Sequence, residues 1–284
     1  MSYVTRFAPS PTGPLHLGHA FSALTAWDRA QACGGRFLLR IEDIDRSRAR
    51  PHWEAQIYED LAWLGLRWEE PVVRQSERGA AYSAALDALW ERDLLYPCTC
   101  TRRDIAAAAS APQEGAPQLG PDGLIYPGTC RVAHPSAQGP RPEGQTLRLN
   151  MAAAVRAMEP DLAFTETGSA PGHIRFAARD LIDTTGDIVV ARQDMAASYH
   201  LAVVLDDAEQ AVTEVVRGAD LFAATQIHIV LQQLLGLPTP IYHHHRLIRD
   251  EAGKRLAKRD DARALETYRA AGATPADIRR MVGL

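Results

Sequence analysis

The order of apolar and polar positions along the chain predicts strands that alternate with helices. A short apolar start precedes a proline- and glycine-rich loop, after which apolar residues recur at helical spacing over residues 20–27. Arg36–Ile41 is a run typical of a buried strand, and Pro51 begins a helix with an apolar stripe. This alternation favours an α/β fold built on parallel strands.

The second half of the chain repeats the pattern after a less regular stretch. Residues 195–207 and 226–235 predict helices, and residues 211–216 and 241–248 predict strands. The stretch between the two halves contains short strand-like runs and a low-complexity segment. We therefore predict a nucleotide-binding domain from residues 1–95 and 191–240, an inserted α+β domain at 96–190, and a basic loop with short helices at 241–284.

Composition narrows the class of protein. The 284-residue chain is 46% hydrophobic, which supports a sizeable core, and its net charge of −4 argues against a protein that coats nucleic acid non-specifically. No apolar run approaches the ~18 residues of a membrane span, and no basic-then-apolar leader precedes the fold. We expect a soluble, cytoplasmic, monomeric protein without a membrane partner.

Lysine is almost absent from the chain. Of the 31 basic residues only Lys254 and Lys258 are lysines, and both lie in one predicted loop. A bias toward arginine codons explains the other positions. Because a guanidinium does not replace a compact and mobile ammonium, the two retained lysines indicate a position that requires one.

The opening loop, RFAPSPTGPLHLGH at residues 6–19, carries the strongest chemical pattern. Its prolines stiffen the backbone and its glycines allow close approach of a ligand. His16 and His19 share a face at the start of the first helix, where free N–H groups favour an anion. The loop therefore predicts a seat for a triphosphate. The alternative, a connector with a metal-binding histidine pair, requires a third ligand nearby.

Two charged residues follow predicted strands. Glu42 comes directly after Arg36–Ile41, and Arg217 lies between a β-run and Gly218. Because parallel strands present ligand-binding groups at their carboxyl ends, both side chains are expected at the same crevice as the opening loop. Glu42 is placed to hold a substrate amine. The alternative for Glu42 is an acid exposed to solvent, and the alternative for Arg217 is an arginine on the protein surface.

Three cysteines have the spacing of a structural zinc site that lacks one ligand. Cys98 and Cys100 form a Cys-x-Cys turn, and Cys130 follows a Pro-Gly knuckle. Tyr126 is the nearest candidate for the fourth ligand, and His134 is the more usual ligand type. The alternative is three incidental small hydrophobic side chains.

The opening loop resembles the HIGH signature of class I aminoacyl-tRNA synthetases, in the form used by the glutamate and glutamine enzymes. Residues 255–259 resemble the KMSKS signature, with Arg255 and Ala257 as departures and Lys258 retained. The chain looks like the catalytic half of a glutamyl-tRNA synthetase without the anticodon-binding region. With Cys-x-Cys…Tyr-x3-Cys, it resembles the glutamyl-Q tRNA(Asp) synthetase family.

This resemblance implies a Rossmann-like catalytic domain, an inserted zinc-containing domain of the acceptor-binding type, a short helical C-terminus and no anticodon-binding domain. It implies ATP-dependent formation of glutamyl-adenylate, with Mg²⁺, and transfer of glutamate to the queuosine base in the anticodon of tRNA-Asp. The implied glutamate-binding residues are Arg6, Phe7, Ala8, Pro9, Ser10, Glu42, Tyr199 and Arg217. The implied ATP-binding residues are His16, Gly18, His19 and Lys258, of which His16, His19 and Lys258 are catalytic. The implied ligands of one zinc ion are Cys98, Cys100, Tyr126 and Cys130.

Two other functions are compatible with the same residues. One is a minimal glutamyl-tRNA synthetase that charges the 3′ end of tRNA. The other is a catalytically silent paralogue that binds tRNA, for which the departures at Arg255 and Ala257 are the support.

Overall fold

The computed structural model describes residues 2–109, 119–133, 139–248 and 263–284. Its strands are β1 (Val4–Phe7), β2 (Arg36–Ile41), β3 (Glu69–Arg74), β4 (Leu95–Pro97), β5 (Leu119–Gly120), β6 (Gly123–Leu124), β7 (Leu147–Leu149), β8 (Asp161–Glu166), β9 (Gly172–Ala177), β10 (Val189–Ala191), β11 (Glu214–Gly218) and β12 (Ile241–His245). Its helices are α1 (Leu17–Ala32), α2 (Pro51–Trp63), α3 (Gly79–Glu91), α4 (Arg102–Ala109), α5 (Thr129–Ala133), α6 (Met151–Arg156), α7 (Leu181–Thr184), α8 (Tyr199–Glu209), α9 (Thr225–Leu235), α10 (Leu265–Ala270) and α11 (Pro275–Val282).

The centre of the fold is a mostly parallel sheet. Strand β2 pairs in parallel with β1 and β3, and β11 pairs in parallel with β12. The two groups meet where the backbone N–H of Thr213 donates to the carbonyl of Val4 at 3.0 Å, which places β11 beside β1. The carboxyl ends of β1, β2 and β11 therefore face the same edge, as the sequence predicted from the alternation of strands and helices.

The sheet is buried on both faces, which explains why its strands read as continuous apolar runs. On β2, Phe37 and Leu39 belong to a hydrophobic cluster with α1 and α2, whereas Leu38 points to a second cluster with α3, α8 and α9. Alternate side chains of one strand thus enter two cores. This is the Rossmann-like arrangement of helices on both sides of a sheet.

Part of the predicted insertion joins the central sheet. Strand β8 pairs with β12 in parallel and with β9 in antiparallel orientation, so residues 161–177 extend the sheet beyond β12. Strands β4, β7 and β10 form a separate antiparallel sheet, and β5 and β6 form a short hairpin. An inserted domain at 96–190 stays a prediction. Within this range, the β8–β9 hairpin is continuous with the central sheet.

Five strands were not predicted from the sequence: β4, the short hairpin strands β5 and β6, and two edge strands, β3 and β9. Strand β3 has the sequence EEPVVR with no buried residue, and β9 has the sequence GHIRFA with none either. Edge strands face solvent on several sides, so their composition does not have the apolar pattern of a central strand. Within the described ranges, no helix is both long and apolar enough to cross a membrane.

Candidate active site

A cavity of about 590 Å³ opens at the carboxyl ends of the central strands. Every described residue that the sequence analysis assigned to glutamate or ATP lines it: Arg6, Phe7, Ala8, Pro9, Ser10, His16, Gly18, His19, Glu42, Tyr199 and Arg217. The opening loop, β2, α8 and β11 thus contribute to one site. Further lining residues, which the sequence analysis did not assign to the site, are Thr12, Ser22, Val216, Gly218, Asp220, Leu221, His245, Leu247 and Ile248.

His16 and His19 cap the first helix. His16 is the N-cap of α1, and its Nδ1 accepts from the backbone N–H of Gly18 at 3.1 Å. The Nδ1 of His19 accepts from the backbone N–H of His16 at 3.2 Å, and the ring centroids are 3.8 Å apart. Because both Nδ1 atoms accept hydrogen bonds, the ring hydrogen of each imidazole is on Nε2. The two rings therefore lie at the N-terminus of a helix, a place that suits a phosphate.

The chain returns to this loop near its C-terminus. The N–H of Leu265 donates to the carbonyl of Leu15 at 2.8 Å, and Ala264 forms an isolated antiparallel β-bridge with His16. Ile248, on the other side of residues 249–262, also lines the cavity. Lys258, with Lys254, Arg255 and Ala257, lies outside the described residues.

Arg6 reaches the cavity with its charge already compensated. Its Nε donates to Oδ1 of Asp207 at 2.9 Å, and the fully buried Arg40 donates to the same oxygen at 2.8 Å. Burial would raise the pKa of Asp207, but Arg6 and Arg40 outweigh it and hold that pKa below its usual range. Asp207 thus holds the side chains of Arg6 and Arg40 in place beneath the cavity.

Glu42 is a carboxyl that loses most of its hydration. Burial raises its pKa to about 7, against the opposing effect of Arg40 and Arg6. The nearest guanidinium nitrogen of Arg40 lies 3.6 Å from Oε1, too far for a good hydrogen bond. The site therefore leaves this carboxyl in need of a cationic partner.

Arg217 is a buried cation that contacts neutral groups. Its Nε donates to Nε2 of His244 at 3.1 Å, its Nη1 lies 3.0 Å from Nδ1 of His228, and its Nη2 donates to Thr225 at 2.7 Å. Burial, reinforced by Arg217, lowers the pKa of both His228 and His244, so both rings are neutral. Among the described residues no carboxylate forms an ion pair with Arg217. Its positive charge is available to a ligand.

The partners of these arginines were not predicted as site residues. Asp207 ends a run of apolar residues on α8, and His228 lies in the apolar sequence of α9. The sequence did carry a signal for these partners: a charged or titratable side chain within an apolar helix that packs against the central sheet. Such groups are rarely buried without a partner, so each one indicates a neighbour of opposite charge or a hydrogen-bonding group.

The predicted metal ligands also come together, apart from the cavity. The sulphurs of Cys98, Cys100 and Cys130 lie within 4.8 Å of one another. The Tyr126 hydroxyl lies 3.5 Å from the Cys98 sulphur and 3.3 Å from that of Cys100. Three soft sulphur donors and one oxygen around a common point fit a tetrahedral Zn²⁺ ion.

A cation lies beside this cluster. Arg148 donates from Nε to the sulphur of Cys98 at 3.3 Å, and its guanidinium lies 3.9 Å from the centre of the Tyr126 ring. Its positive charge would offset part of the negative charge that metal-bound thiolates bring to the site. His134, the other candidate for the fourth ligand, lies outside the described residues.

The model of the family described as tRNA synthetases class I (E and Q), catalytic domain, matches residues 2–284. The chain belongs to this family and is a class I aminoacyl-tRNA synthetase. A glutamate tRNA ligase from Elizabethkingia meningosepticum, solved in complex with its amino acid, superimposes with a TM-score of 0.69 at 26% identity over 92% of this chain. The chain spans 53% of that protein.

Within the class, the chain is similar over its whole length to curated glutamyl-Q tRNA(Asp) synthetases. The protein of that name from Rhodobacter capsulatus is 61% identical over 99% of this chain and 100% of its own length. The one from Symbiobacterium thermophilum is 44% identical over 96% of this chain and 83% of its own length.

Proposed function

We propose that the chain activates L-glutamate with ATP and transfers it to the queuosine base in the anticodon of tRNA-Asp. The observation that carries the proposal is the single cavity in which the capped histidine pair, Glu42 and Arg217 meet. The names of the curated relatives support the same tRNA and the same amino acid.

Glutamate matches the charges of the cavity. Its ammonium provides a cation at hydrogen-bonding distance for the Glu42 carboxyl, which Arg40 approaches only to 3.6 Å, and a carboxylate provides the anion that Arg217 lacks. Nε, Nη2 and one N–H of Nη1 of Arg217 already donate within the protein, so the remaining N–H of Nη1 is the donor for the substrate carboxylate. The Tyr199 and Ser10 hydroxyls line the same space and supply neutral polar groups. A substrate without one of these charges would leave a buried group unpaired, which is how such a site rejects it.

In the proposed reaction, an oxygen of the glutamate α-carboxylate attacks the α-phosphorus of ATP. A phosphorus–oxygen bond forms to the carboxylate while the bond to the β-phosphate oxygen breaks, and pyrophosphate leaves. The protein contributes position and charge neutralisation more than covalent chemistry. His16, His19 and the N-terminus of α1 receive the phosphates, together with Mg²⁺ and, as a prediction, Lys258. In the second step a hydroxyl of queuosine takes the acyl group and AMP leaves.

The proposal includes a structural zinc ion held by Cys98, Cys100, Tyr126 and Cys130 in an inserted domain at 96–190. It also includes a catalytic domain at 1–95 and 191–240 and a KMSKS-like loop with a helical C-terminus at 241–284. A cytoplasmic location and a monomeric state remain predictions from the sequence.

The decisive test is the acceptance of glutamate by two forms of tRNA-Asp. Purified protein, ATP and radiolabelled glutamate are incubated with tRNA-Asp from normal cells and from queuosine-deficient cells. We expect label only in the queuosine-containing tRNA, and glutamate-dependent exchange of pyrophosphate into ATP without any tRNA. In a parallel incubation with tRNA-Glu, label at its 3′ end would instead support a minimal glutamyl-tRNA synthetase, the activity suggested by the solved glutamate tRNA ligase. Absence of exchange would leave a silent tRNA-binding paralogue.

The affinity for glutamate should fall as the pH drops below about 7. The pKa of Glu42 is raised to about 7 by burial, so the protonated fraction grows below that pH and a neutral carboxyl does not pair with the substrate ammonium. KM for glutamate in the exchange reaction should rise about tenfold for each pH unit below this pKa. The matched variant Glu42→Gln should bind weakly at every pH. A KM of the unaltered protein that does not change across this range would contradict the assignment.

A further inference from the structure

A buried chain of hydrogen bonds runs from the end of β8 to the cavity. Oε2 of Glu166 lies 2.5 Å from Nδ1 of His244, and Nε2 of the same ring accepts from Nε of Arg217 at 3.1 Å. The side chains of Glu166 and His244 have no exposed surface, and neither residue lines the cavity. Their side chains contact the cavity-lining Arg217 through Nε2 of His244.

This series of hydrogen bonds determines which ring nitrogen of His244 carries the hydrogen. A guanidinium has only donors, so Nε2 of the ring must present its lone pair to Arg217. The hydrogen is then on Nδ1 and is donated to Glu166. This is the tautomer that a carboxylate behind an imidazole imposes.

The carboxylate of Glu166 is itself held by the backbone. Its other oxygen, Oε1, accepts from the N–H of Gly168 at 2.6 Å and from the N–H of His244 at 3.0 Å. Gly168 packs directly against the backbone of His244, where any Cβ would collide. Oε1 therefore faces two donors, and only Oε2 is directed at the ring.

We propose that Glu166 is a positioning residue that sets the tautomer of His244 and thereby directs Arg217 at the carboxylate of the substrate. The inference rests on the proposed function, in which the cavity binds glutamate. A carboxylate placed directly against Arg217 would orient it equally well but would cancel its charge. The imidazole keeps the carboxylate one ring away, so Arg217 is fixed by neutral acceptors and remains a cation for the ligand.

Glu166→Gln tests the tautomer with almost no change in shape. Because Oε1 must still accept from two backbone N–H groups, the amide NH₂ takes the place of Oε2 and donates to Nδ1 of His244. The ring hydrogen must then move to Nε2, where it opposes the N–H of Arg217. We expect KM for glutamate in pyrophosphate exchange to rise roughly tenfold, as for loss of one hydrogen bond to a charged group, with kcat little changed. Nitrogen-15 NMR of the labelled imidazole should show the hydrogen transferred from Nδ1 to Nε2.

Two further variants separate this role from a structural one. His244→Phe keeps a ring that can pack parallel to Tyr242, deletes both nitrogens and should raise KM to the same degree. In that background Glu166→Gln should add nothing, because its effect passes through the imidazole. Glu214→Gln is the matched control: this buried carboxyl on β11 binds Arg29, which does not line the cavity, and KM should stay unchanged.

An unchanged KM or an unchanged tautomer in Glu166→Gln would overturn the inference. So would a KM effect that persists in the His244→Phe background, since Glu166 would then act through its backbone contacts. Absence of glutamate-dependent exchange in the unaltered protein would overturn the proposed function instead, and the NMR measurement would still decide whether Glu166 sets the tautomer.

Discussion

Replacing Arg217 with alanine should lower kcat/KM for glutamate in pyrophosphate exchange by roughly 100-fold or more, since removing one partner of a buried ion pair costs about 3–5 kcal/mol. Arg217 is buried, and its three side-chain partners are His244, His228 and Thr225, all uncharged. Without it, a substrate carboxylate would lose the cation that the proposal assigns to it.

The control variants distinguish charge from geometry. Arg217→Lys keeps the charge but loses the planar fork, so we expect an intermediate loss. Arg29→Ala removes an arginine of similar size that binds Glu214 outside the cavity, and it should affect thermal stability more than KM. Exchange at the normal rate in Arg217→Ala would contradict the proposed glutamate site.

Loss of the metal should produce the second large effect, on folding. Binding of structural zinc contributes on the order of 10 kcal/mol in small zinc domains, comparable with the whole stability of an average domain, about 5–15 kcal/mol. Cys98→Ser removes the most buried of the three thiols. We expect purified protein to contain about one zinc per chain, and the variant to lose it and become sensitive to proteolysis between residues 96 and 133.

Cys33→Ser is the matched control for this experiment. Cys33 is exposed at the end of α1, far in sequence from the cluster, so the same chemical change there should leave metal content and melting temperature unaltered. A well-folded unaltered protein that contains no metal after purification without chelators would reject the zinc site.

Much of the central fold could be predicted from the sequence, because central strands and the helices over them have strong periodic patterns. The predicted strand at Arg36–Ile41 and the helix beginning at Pro51 are present as β2 and α2. Edge elements such as β3 were missed because exposure removes the apolar pattern. The pairing of β8 with β12 was not predicted either, since it joins residues far apart in the chain and is not encoded in either segment alone.

For the candidate site, local sequence determined the residue types and the loop that carries them. His16 and His19 are three residues apart on one helix turn, and three cysteines with Tyr126 have the spacing of a metal site, so both groups were visible without a structure. These features depend on short stretches of chain whose geometry is set by local backbone preferences.

Only the tertiary structure decided how the charges of the site are compensated. The resemblance implied that Arg6 and Arg217 both bind glutamate, whereas folding gives Arg6 a carboxylate partner in Asp207 and surrounds Arg217 with neutral groups. The physical reason is that distance in space and burial determine electrostatic partners, and residues of α8, α9 and β12 contact these arginines only when the sheet and its helices have packed.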